Sequence, residues 1–189
     1  MYKQTLPIIL ASKSPRRQEL LKAMGLDFKV VVKDVDESYP PDLLPAEIAV
    51  HIAEKKADAF LDHSFNNIVV TADTIVAYQS QILGKPADAT HAREILQLLS
   101  GTNHQVYTGV SISYNGIVAS FYDVTEVFFN KLSSEQIDYY IANFNPFDKA
   151  GAYGIQDWIG LIGVEKIIGS YTNVMGLPTE KLYNALLSI

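Results

Sequence analysis

The chain has 189 residues, of which 48% are hydrophobic and 19% are charged. This balance is typical of a folded globular protein and excludes an intrinsically disordered chain. There is no cysteine, which excludes disulfide scaffolds, thiolate metal sites and cysteine nucleophiles. The formal net charge of −6 argues against nucleic-acid binding through broad neutralisation of phosphates, although a small anionic ligand needs only a local cluster of donors.

The first half of the chain alternates buried strands with helices. Residues 7–11 are expected to form a strand, and Ser14-Pro15 then provides a cap and a first-turn proline for a helix over residues 15–24. The further elements expected in this half are a strand at 28–32, a helix from Pro45 to about Phe60, a strand at 68–78 and a helix at 89–99.

The second half begins with a long hairpin. Residues 104–114 and 117–129 alternate with a period of two and are joined by Asn115-Gly116, which favours a two-residue turn. Ser133-Ser134-Glu135-Gln136 is a capping box for a helix to about Asn143. A strand near 160–168 and a helix from about Thr179 complete the chain. These elements predict an α/β or α+β fold with a mixed sheet.

The sequence shows no feature of a membrane or exported protein. No stretch approaches the roughly 20 apolar residues that cross a bilayer, and the apolar run before Ser12 and Lys13 is too short for a signal peptide. No repeat and no low-complexity segment is present. We therefore expect a cytoplasmic protein without a membrane partner.

A short polar turn leads from the first expected strand into the first expected helix. It carries two hydroxyls, Ser12 and Ser14, and two guanidinium groups, Arg16 and Arg17. The free N–H groups and the dipole of a helix N-terminus favour an anion, and arginine can bind phosphate oxygens in a bidentate manner. The segment alone is equally compatible with a phosphate site and with a capped helix that carries surface arginines.

Asp73 lies within the apolar run Val69–Val76. A carboxylate in such a strand is costly unless it is paired, protonated or bound to a metal, and strand interiors disfavour aspartate. A bulge or a strand end is the structural alternative. The pattern favours a functional carboxylate that activates water, holds a divalent ion, or does both.

Two later segments are open to either interpretation. Gly84-Lys85-Pro86 offers one lysine as a point charge, but it lacks the first glycine of a phosphate loop. Asp148–Gln156 is rich in small residues that let a backbone approach a ligand, and the Gln156 amide can read the edge of a base. An ordinary tight loop between a helix and a strand is the alternative.

Other polar residues give no site of their own. The four histidines share no metal-ligand spacing and are expected on the surface or in helices; they are His51, His63, His91 and His104. The pairs Asp36-Glu37 and Lys55-Lys56 are, on their own, typical of solvated surface charge.

Six blocks together resemble the Maf family of nucleotide pyrophosphatases. They follow the order of the family and cover essentially the whole chain: Leu10–Leu21, Ala72–Val76, Gly84–Pro86, Ser100–Thr108, Asp148–Gln156 and Gly169–Pro178. The resemblance implies one domain over residues 1–189 with a fold like that of the inosine triphosphate pyrophosphatases. In that fold a long mixed twisted sheet is flanked by helices, and the nucleotide lies in a central cleft between two lobes.

The resemblance also implies an activity and its residues. A nucleoside triphosphate would be hydrolysed between its α- and β-phosphates with a divalent metal, Mg or Mn, and the chain resembles the dTTP/UTP branch. Asp73 would be the proton acceptor and would hold the metal with Glu37. Base preference would depend on Arg16, Thr74 and Gln156. The phosphate-binding residues would be Ser12, Ser14, Arg17, Lys56 and Lys85.

Uracil or thymine is expected because the Gln156 amide can accept from the pyrimidine N3–H and donate to a neighbouring carbonyl. Two alternatives stay open: the same reaction on a modified nucleotide, such as a methylated base or 7-methyl-GTP, and a nucleotide-binding regulator of cell division, as the family's septum-inhibitor label suggests. A nucleoside triphosphate is the expected partner. A homodimer is compatible with the sequence.

Overall fold

A computed structural model describes residues 4–189; residues 1–3, part of the segment assessed for a signal peptide, lie outside the described residues. The strands are β1 (Ile8–Leu10), β2 (Phe28–Val30), β3 (Ile68–Tyr78), β4 (Gln81–Leu83), β5 (Asn103–Tyr114), β6 (Ile117–Phe129) and β7 (Val164–Ile168). The α-helices are α1 (Pro15–Ala23), α2 (Pro45–Asp58), α3 (Ala89–Leu99), α4 (Ser134–Phe144), α5 (Trp158–Gly163), α6 (Tyr171–Val174) and α7 (Thr179–Leu186). Short 3-10 helices lie at Leu61–Phe65, Pro146–Asp148 and Ala150–Ala152.

The chain divides into two compact units. The first contains the residues up to Thr74 together with Thr108–Asp123 and Gly176–Ile189. The second contains Ile75–Tyr107 and Val124–Met175. The strand order is β2-β1-β3-β5-β6-β7, with β4 paired to β3. Both parallel and antiparallel pairs occur, so the expected mixed sheet is confirmed.

The first unit is built on parallel pairing around β1. Leu10 of β1 lies opposite Val30 of β2 and Val70 of β3, and all three residues of β1 are buried. Helix α2 packs closely on the sheet, because a Cβ at Gly109 of β5 would overlap the backbone of Ala49. A hydrogen bond from Thr71 Oγ1 of β3 to the carbonyl of Ala53 (2.7 Å) attaches the same helix to β3.

The second unit has its own apolar core and antiparallel edges. Val76 of β3 pairs with Leu83 of β4, and Glu126 of β6 pairs with Ile168 of β7. The amphipathic helices α3 and α4 contribute their apolar faces to this core; their fully or almost fully buried residues are Ala92, Ile95, Leu96, Leu99, Ile137 and Tyr140.

Local sequence signals proved accurate at turns and helix starts. Asn115 and Gly116 both have positive φ, 49° and 75°, as a two-residue hairpin turn requires. In the capping box at the start of α4, Ser133 Oγ accepts from the Gln136 N–H and Gln136 Oε1 accepts from the Ser133 N–H.

The strand expected near 160–168 is wrong over its first half. Residues Trp158–Gly163 form helix α5, and β7 begins only at Val164. Asp157, in an extended conformation, starts this helix. A short apolar run does not distinguish a strand from a buried helix by periodicity alone. No helix within residues 4–189 has the length and apolar character needed to span a membrane.

Candidate active site

Arg17 is the centre of a hydrogen-bond network in the first unit. Its guanidinium is buried, and Nη1 donates to Ser12 Oγ (3.2 Å) and to the carbonyl of Ala72 (2.9 Å). Nη2 donates to Thr74 Oγ1 (2.9 Å), and Nε donates to the carbonyl of Gly176 (2.8 Å). Four of its five N–H donors therefore bind protein oxygens. Arg17 fixes the turn after β1 against the part of β3 that contains Asp73.

The pKa of Arg17 reflects its burial and the charges around it. Burial lowers the pKa of Arg17 from its ordinary value, the negative charges of Asp73 and Glu37 oppose this shift, and the like charge of Arg16 adds to it. Arginine stays protonated in proteins even so. The buried guanidinium is therefore a permanent positive charge close to Asp73.

The start of α1 differs from a simple capped helix. Pro15 occupies the first turn and Ser14 the N-cap position, but within the described chain the Ser14 side chain makes no capping hydrogen bond. Instead the Ser14 N–H donates to Ser12 Oγ (3.2 Å), which also accepts from Arg17. Because Ser12 Oγ accepts two hydrogen bonds, its own O–H is directed elsewhere as a donor.

Asp73 forms an ion pair with Lys56. The Nζ atom of Lys56, near the end of α2, lies 2.8 Å from Asp73 Oδ1 and 2.8 Å from Glu37 Oε1. The Lys56 and Asp73 side chains are only 16% and 15% exposed, whereas Glu37 is 49% exposed. The attachment of α2 to β3 brings these charges together, since Thr71 precedes Asp73 by two residues and Ala53 precedes Lys56 by three.

The two carboxylates fit a divalent ion of the Mg or Mn type. Such ions prefer oxygen ligands and are commonly held by one or two carboxylates together with substrate phosphates and water. Asp73 and Glu37 converge on one point, which the ammonium of Lys56 occupies in this structure. Within residues 4–189 there is no cluster of three or more acidic or histidine side chains that could hold a metal by itself. Substrate and water oxygens would have to complete the coordination.

Thr74 is held from two sides. Its Oγ1 accepts from Arg17 Nη2 and lies 3.0 Å from Thr108 Oγ1. Gly176 passes close by, since a Cβ there would lie 3.4 Å from Thr74 Oγ1. Eight of the predicted site residues thus belong to the first unit: Ser12, Ser14, Arg16, Arg17, Glu37, Lys56, Asp73 and Thr74.

The other two predicted residues lie in the second unit. Lys85 is exposed in the segment after β4. Gln156 is half-buried in the turn before α5, where its Nε2 donates to Asp157 Oδ1 (3.0 Å). Its Oε1 is buried and has no hydrogen-bond partner among the described residues.

Some residues are not where the sequence alone suggested. His104 was expected on the surface or in a helix, but it is 2% exposed in β5, with Nε2 2.7 Å from the Tyr153 hydroxyl. Burial lowers the pKa of His104 to about 4. The alternation of His104 with Val106 and Thr108 was the signal for an inward position. The sequence reasoning also missed the network around Asp157.

Solved structures with similar folds are HAM1 proteins. The HAM1 protein of Coxiella burnetii aligns over 98% of this chain and 100% of its own length, with a TM-score of 0.53 and 14% identity. The Ham1 protein of Staphylococcus aureus aligns over 95% of this chain and 99% of its own length, with a TM-score of 0.50 and 16% identity. These similarities confirm the expected mixed α/β fold.

Much closer relatives exist at the level of sequence. The dTTP/UTP pyrophosphatase of Flavobacterium johnsoniae is 51% identical over 96% of this chain and 94% of its own length. The proteins of the same name from Bacteroides thetaiotaomicron and Cytophaga hutchinsonii are 50% and 48% identical, over 95% of this chain and over 94% and 82% of their own lengths. The family described as Maf-like protein matches residues 7–189. The chain therefore belongs to the Maf-like protein family.

Proposed function

We propose that this chain is a nucleoside triphosphate pyrophosphatase that hydrolyses dTTP and UTP to the monophosphate and diphosphate, as one domain over residues 1–189. Its similarity to the dTTP/UTP pyrophosphatases supports the substrate. The observation that carries the proposal is the mostly buried Asp73 carboxylate, which lies on a strand and is flanked by the cations of Lys56 and Arg17.

The residues of the first unit suit a triphosphate. A triphosphate carries about four negative charges, and catalysis of its hydrolysis depends mostly on positioning and on charge stabilisation. The positive charges come from Arg16, Arg17 and Lys56. The hydroxyls of Ser12 and Ser14 are assigned as neutral donors, since Ser12 Oγ already accepts from the Ser14 N–H and from Arg17. Lys85 of the second unit is assigned as a further phosphate-binding cation.

In the proposed reaction, Asp73 is the proton acceptor. Water attacks the α-phosphorus, a new P–O bond forms, and the bond between the α-phosphorus and the oxygen that bridges it to the β-phosphate breaks. The proton of the water passes to the Asp73 carboxylate, and diphosphate leaves. General-base catalysis of this kind contributes typically about 10²–10⁴-fold.

Asp73 and Glu37 are the residues assigned to hold a divalent metal, Mg or Mn. When bound, such an ion would neutralise phosphate charge in the transition state. Lys56 would then give up its position between the two carboxylates and turn to the phosphates, to which a flexible lysine can present its charge.

Base preference is assigned to Arg16, Thr74 and Gln156. Thr74 is fixed by Arg17 and is therefore a rigid contact. Gln156 Oε1 is a buried acceptor without a hydrogen-bond partner among residues 4–189, which suits the N3–H of uracil or thymine. A glutamate at position 156 could only accept. We expect Gln156→Glu to depress UTP and dTTP hydrolysis more than it depresses overall nucleotide binding.

The decisive experiment replaces Asp73 by Asn. Diphosphate release from UTP and dTTP should fall by at least about 10²-fold, while binding of UTP, followed by calorimetry, should persist. Asp58→Asn is a matched control, because Asp58 is an exposed carboxylate at the end of α2. Near-full turnover in Asp73→Asn would remove Asp73 as the base. Nucleotide binding without any diphosphate release by the unaltered protein would favour the regulator of cell division.

A further inference from the structure

The amide of Gln156 has one defined orientation. The atom that faces Asp157 Oδ1 at 3.0 Å must be the nitrogen, because an ionised carboxylate only accepts hydrogen bonds. The amide oxygen Oε1 therefore points away from Asp157. It is buried and finds no donor within the described part of the chain. A buried acceptor without a donor is unfavourable, which indicates that a ligand supplies one.

Asp157 is itself held as an acceptor. The Tyr140 hydroxyl accepts from the Gly154 N–H (3.0 Å) and donates to Asp157 Oδ2 (2.7 Å). The ammonium of Lys149, almost completely buried, lies 3.6 Å from the same oxygen. A hydroxyl donor and a nearby cation therefore both hold Asp157 Oδ2 in this position.

The absence of a side chain at Gly154 leaves room for the Gln156 amide and the Asp157 carboxylate. A Cβ at Gly154 would lie 2.7 Å from Gln156 Nε2 and 2.6 Å from Asp157 Oδ2, closer than side-chain atoms approach one another. Any larger residue at position 154 would displace the pair. Three separate features, the Tyr140 hydroxyl, the Lys149 ammonium and the missing side chain of Gly154, thus define where Asp157 and the Gln156 amide lie.

We propose that Asp157 is a positioning residue that orients the Gln156 amide so that Oε1 is presented as an acceptor, and thereby selects nucleotides whose base carries an N–H at that place. Uracil and thymine carry an N3–H, whereas N3 of cytosine is an acceptor and would face Oε1 without a proton. Asp157 therefore discriminates between UTP and CTP without contacting either. This inference rests on the proposed role of Gln156 in base recognition.

The test is Asp157→Asn, which keeps the size and removes the obligatory acceptor. The asparagine amide can offer either an oxygen or an NH₂ group to Gln156, so Gln156 can turn its own NH₂ towards the base. The ratio of kcat/KM for UTP to that for CTP should fall at least about tenfold, since sites built around one hydrogen bond discriminate strongly. The change should lie mainly in KM, because the reacting phosphates are not touched.

Asp148→Asn is the matched control. Asp148 also binds Lys149 (3.0 Å), but its side chain is 56% exposed. This variant should keep the UTP/CTP ratio within about twofold of the unaltered protein. If Asp157→Asn fails to fold, Tyr140→Phe should shift the ratio in the same direction by a smaller factor, because it removes the donor that orients Asp157.

A double-variant cycle separates positioning from a general structural effect. In a Gln156→Ala background, Asp157→Asn should leave the UTP/CTP ratio unchanged, since Asp157 acts only through Gln156. An unchanged ratio in Asp157→Asn, or an equal shift in both backgrounds, would overturn the inference.

The ratio of the Kd values for the α,β-methylene analogues of UTP and CTP should also be measured. If the unaltered protein binds the UTP analogue selectively but releases no diphosphate from UTP, the proposed function is contradicted. The role of Asp157 in base selection can then still be tested by binding. Hydrolysis of UTP with a ratio that Asp157→Asn does not alter contradicts only the role of Asp157. Binding of neither analogue by the unaltered protein overturns both.

Discussion

The ammonium of Lys56 lies 2.8 Å from the Oδ1 of Asp73, and the same ammonium lies 2.8 Å from Glu37. One cation therefore balances two carboxylates, one of which belongs to an otherwise apolar strand. Such a group of charges is sensitive to the loss of any single member, because an unpaired charge of low exposure is costly. The pairing explains how Asp73 is tolerated in β3.

We expect Lys56→Met to destabilise the protein and to reduce activity. The free energy of unfolding should fall by about 1–3 kcal/mol, less than for a fully buried pair because Lys56 and Asp73 retain some exposure. Activity with UTP should fall at least about tenfold, as a phosphate-binding charge is lost. Urea denaturation and diphosphate release check the two effects.

Lys55→Met is the control for this change. Lys55 pairs with the exposed Asp36 (3.1 Å), and surface pairs contribute only about 0–1 kcal/mol. An equal loss of stability in both lysine variants would contradict a special role for Lys56.

Arg17→Lys should be far from conservative. Lysine keeps the charge but cannot reach four oxygens with one planar group. Because hydrogen bonds to charged groups contribute about 1.5–3 kcal/mol each, the free energy of unfolding should fall by at least about 2 kcal/mol. The kcat/KM for UTP should fall at least about tenfold as Thr74 and Ser12 lose their fixed positions.

Arg93→Lys is the control for this change, since Arg93 forms a half-exposed ion pair with Asp138. Equal losses of stability and activity in the two variants would argue against a special role for the hydrogen-bond network of Arg17.

His104 should make stability depend on pH. Its pKa is about 4 in the folded protein and about 6.5 in the unfolded chain, so between these values the unfolded state binds more protons. Stability is therefore full above about pH 6.5 and declines as the pH falls towards 4, by about 3 kcal/mol in total. His104→Gln should flatten this part of the pH–stability curve, measured by denaturant titration from pH 4 to 7.

His51→Gln, at a half-buried histidine of α2, is the matched control and should leave the slope intact. A slope that persists in His104→Gln would show that other groups titrate in this range.

Local signals in the sequence predicted much of the fold. The bounds of β3 and α3 agree with the expected residues, and the Asn115-Gly116 hairpin is confirmed. In these segments, turn residues and periodicity point the same way. Helix α5 was missed because its short apolar run carries no distinguishing period.

The candidate site could be predicted only in part. The residue types pointed to phosphate binding at Arg17, a functional carboxylate at Asp73 and base recognition at Gln156, but the contacts of these residues depend on distant partners. Arg17 binds a residue 159 positions away, and Tyr140 reaches Asp157 across 17 positions. Such contacts follow from the tertiary fold and leave no periodic signal in the sequence. No pattern in the sequence therefore indicated a role for Asp157.

The hydrogen bond from Arg17 Nε to the Gly176 carbonyl also has a consequence for synthesis. Strand β1 and helix α1 leave the ribosome before Gly176 is synthesised. At that stage Arg17 lacks the carbonyl that accepts from its Nε. In a chain that stops before residue 176, burial of the Arg17 guanidinium would leave its Nε without this acceptor. Chains truncated before this residue should therefore be less stable than the full chain, because the first unit also includes Gly176–Ile189.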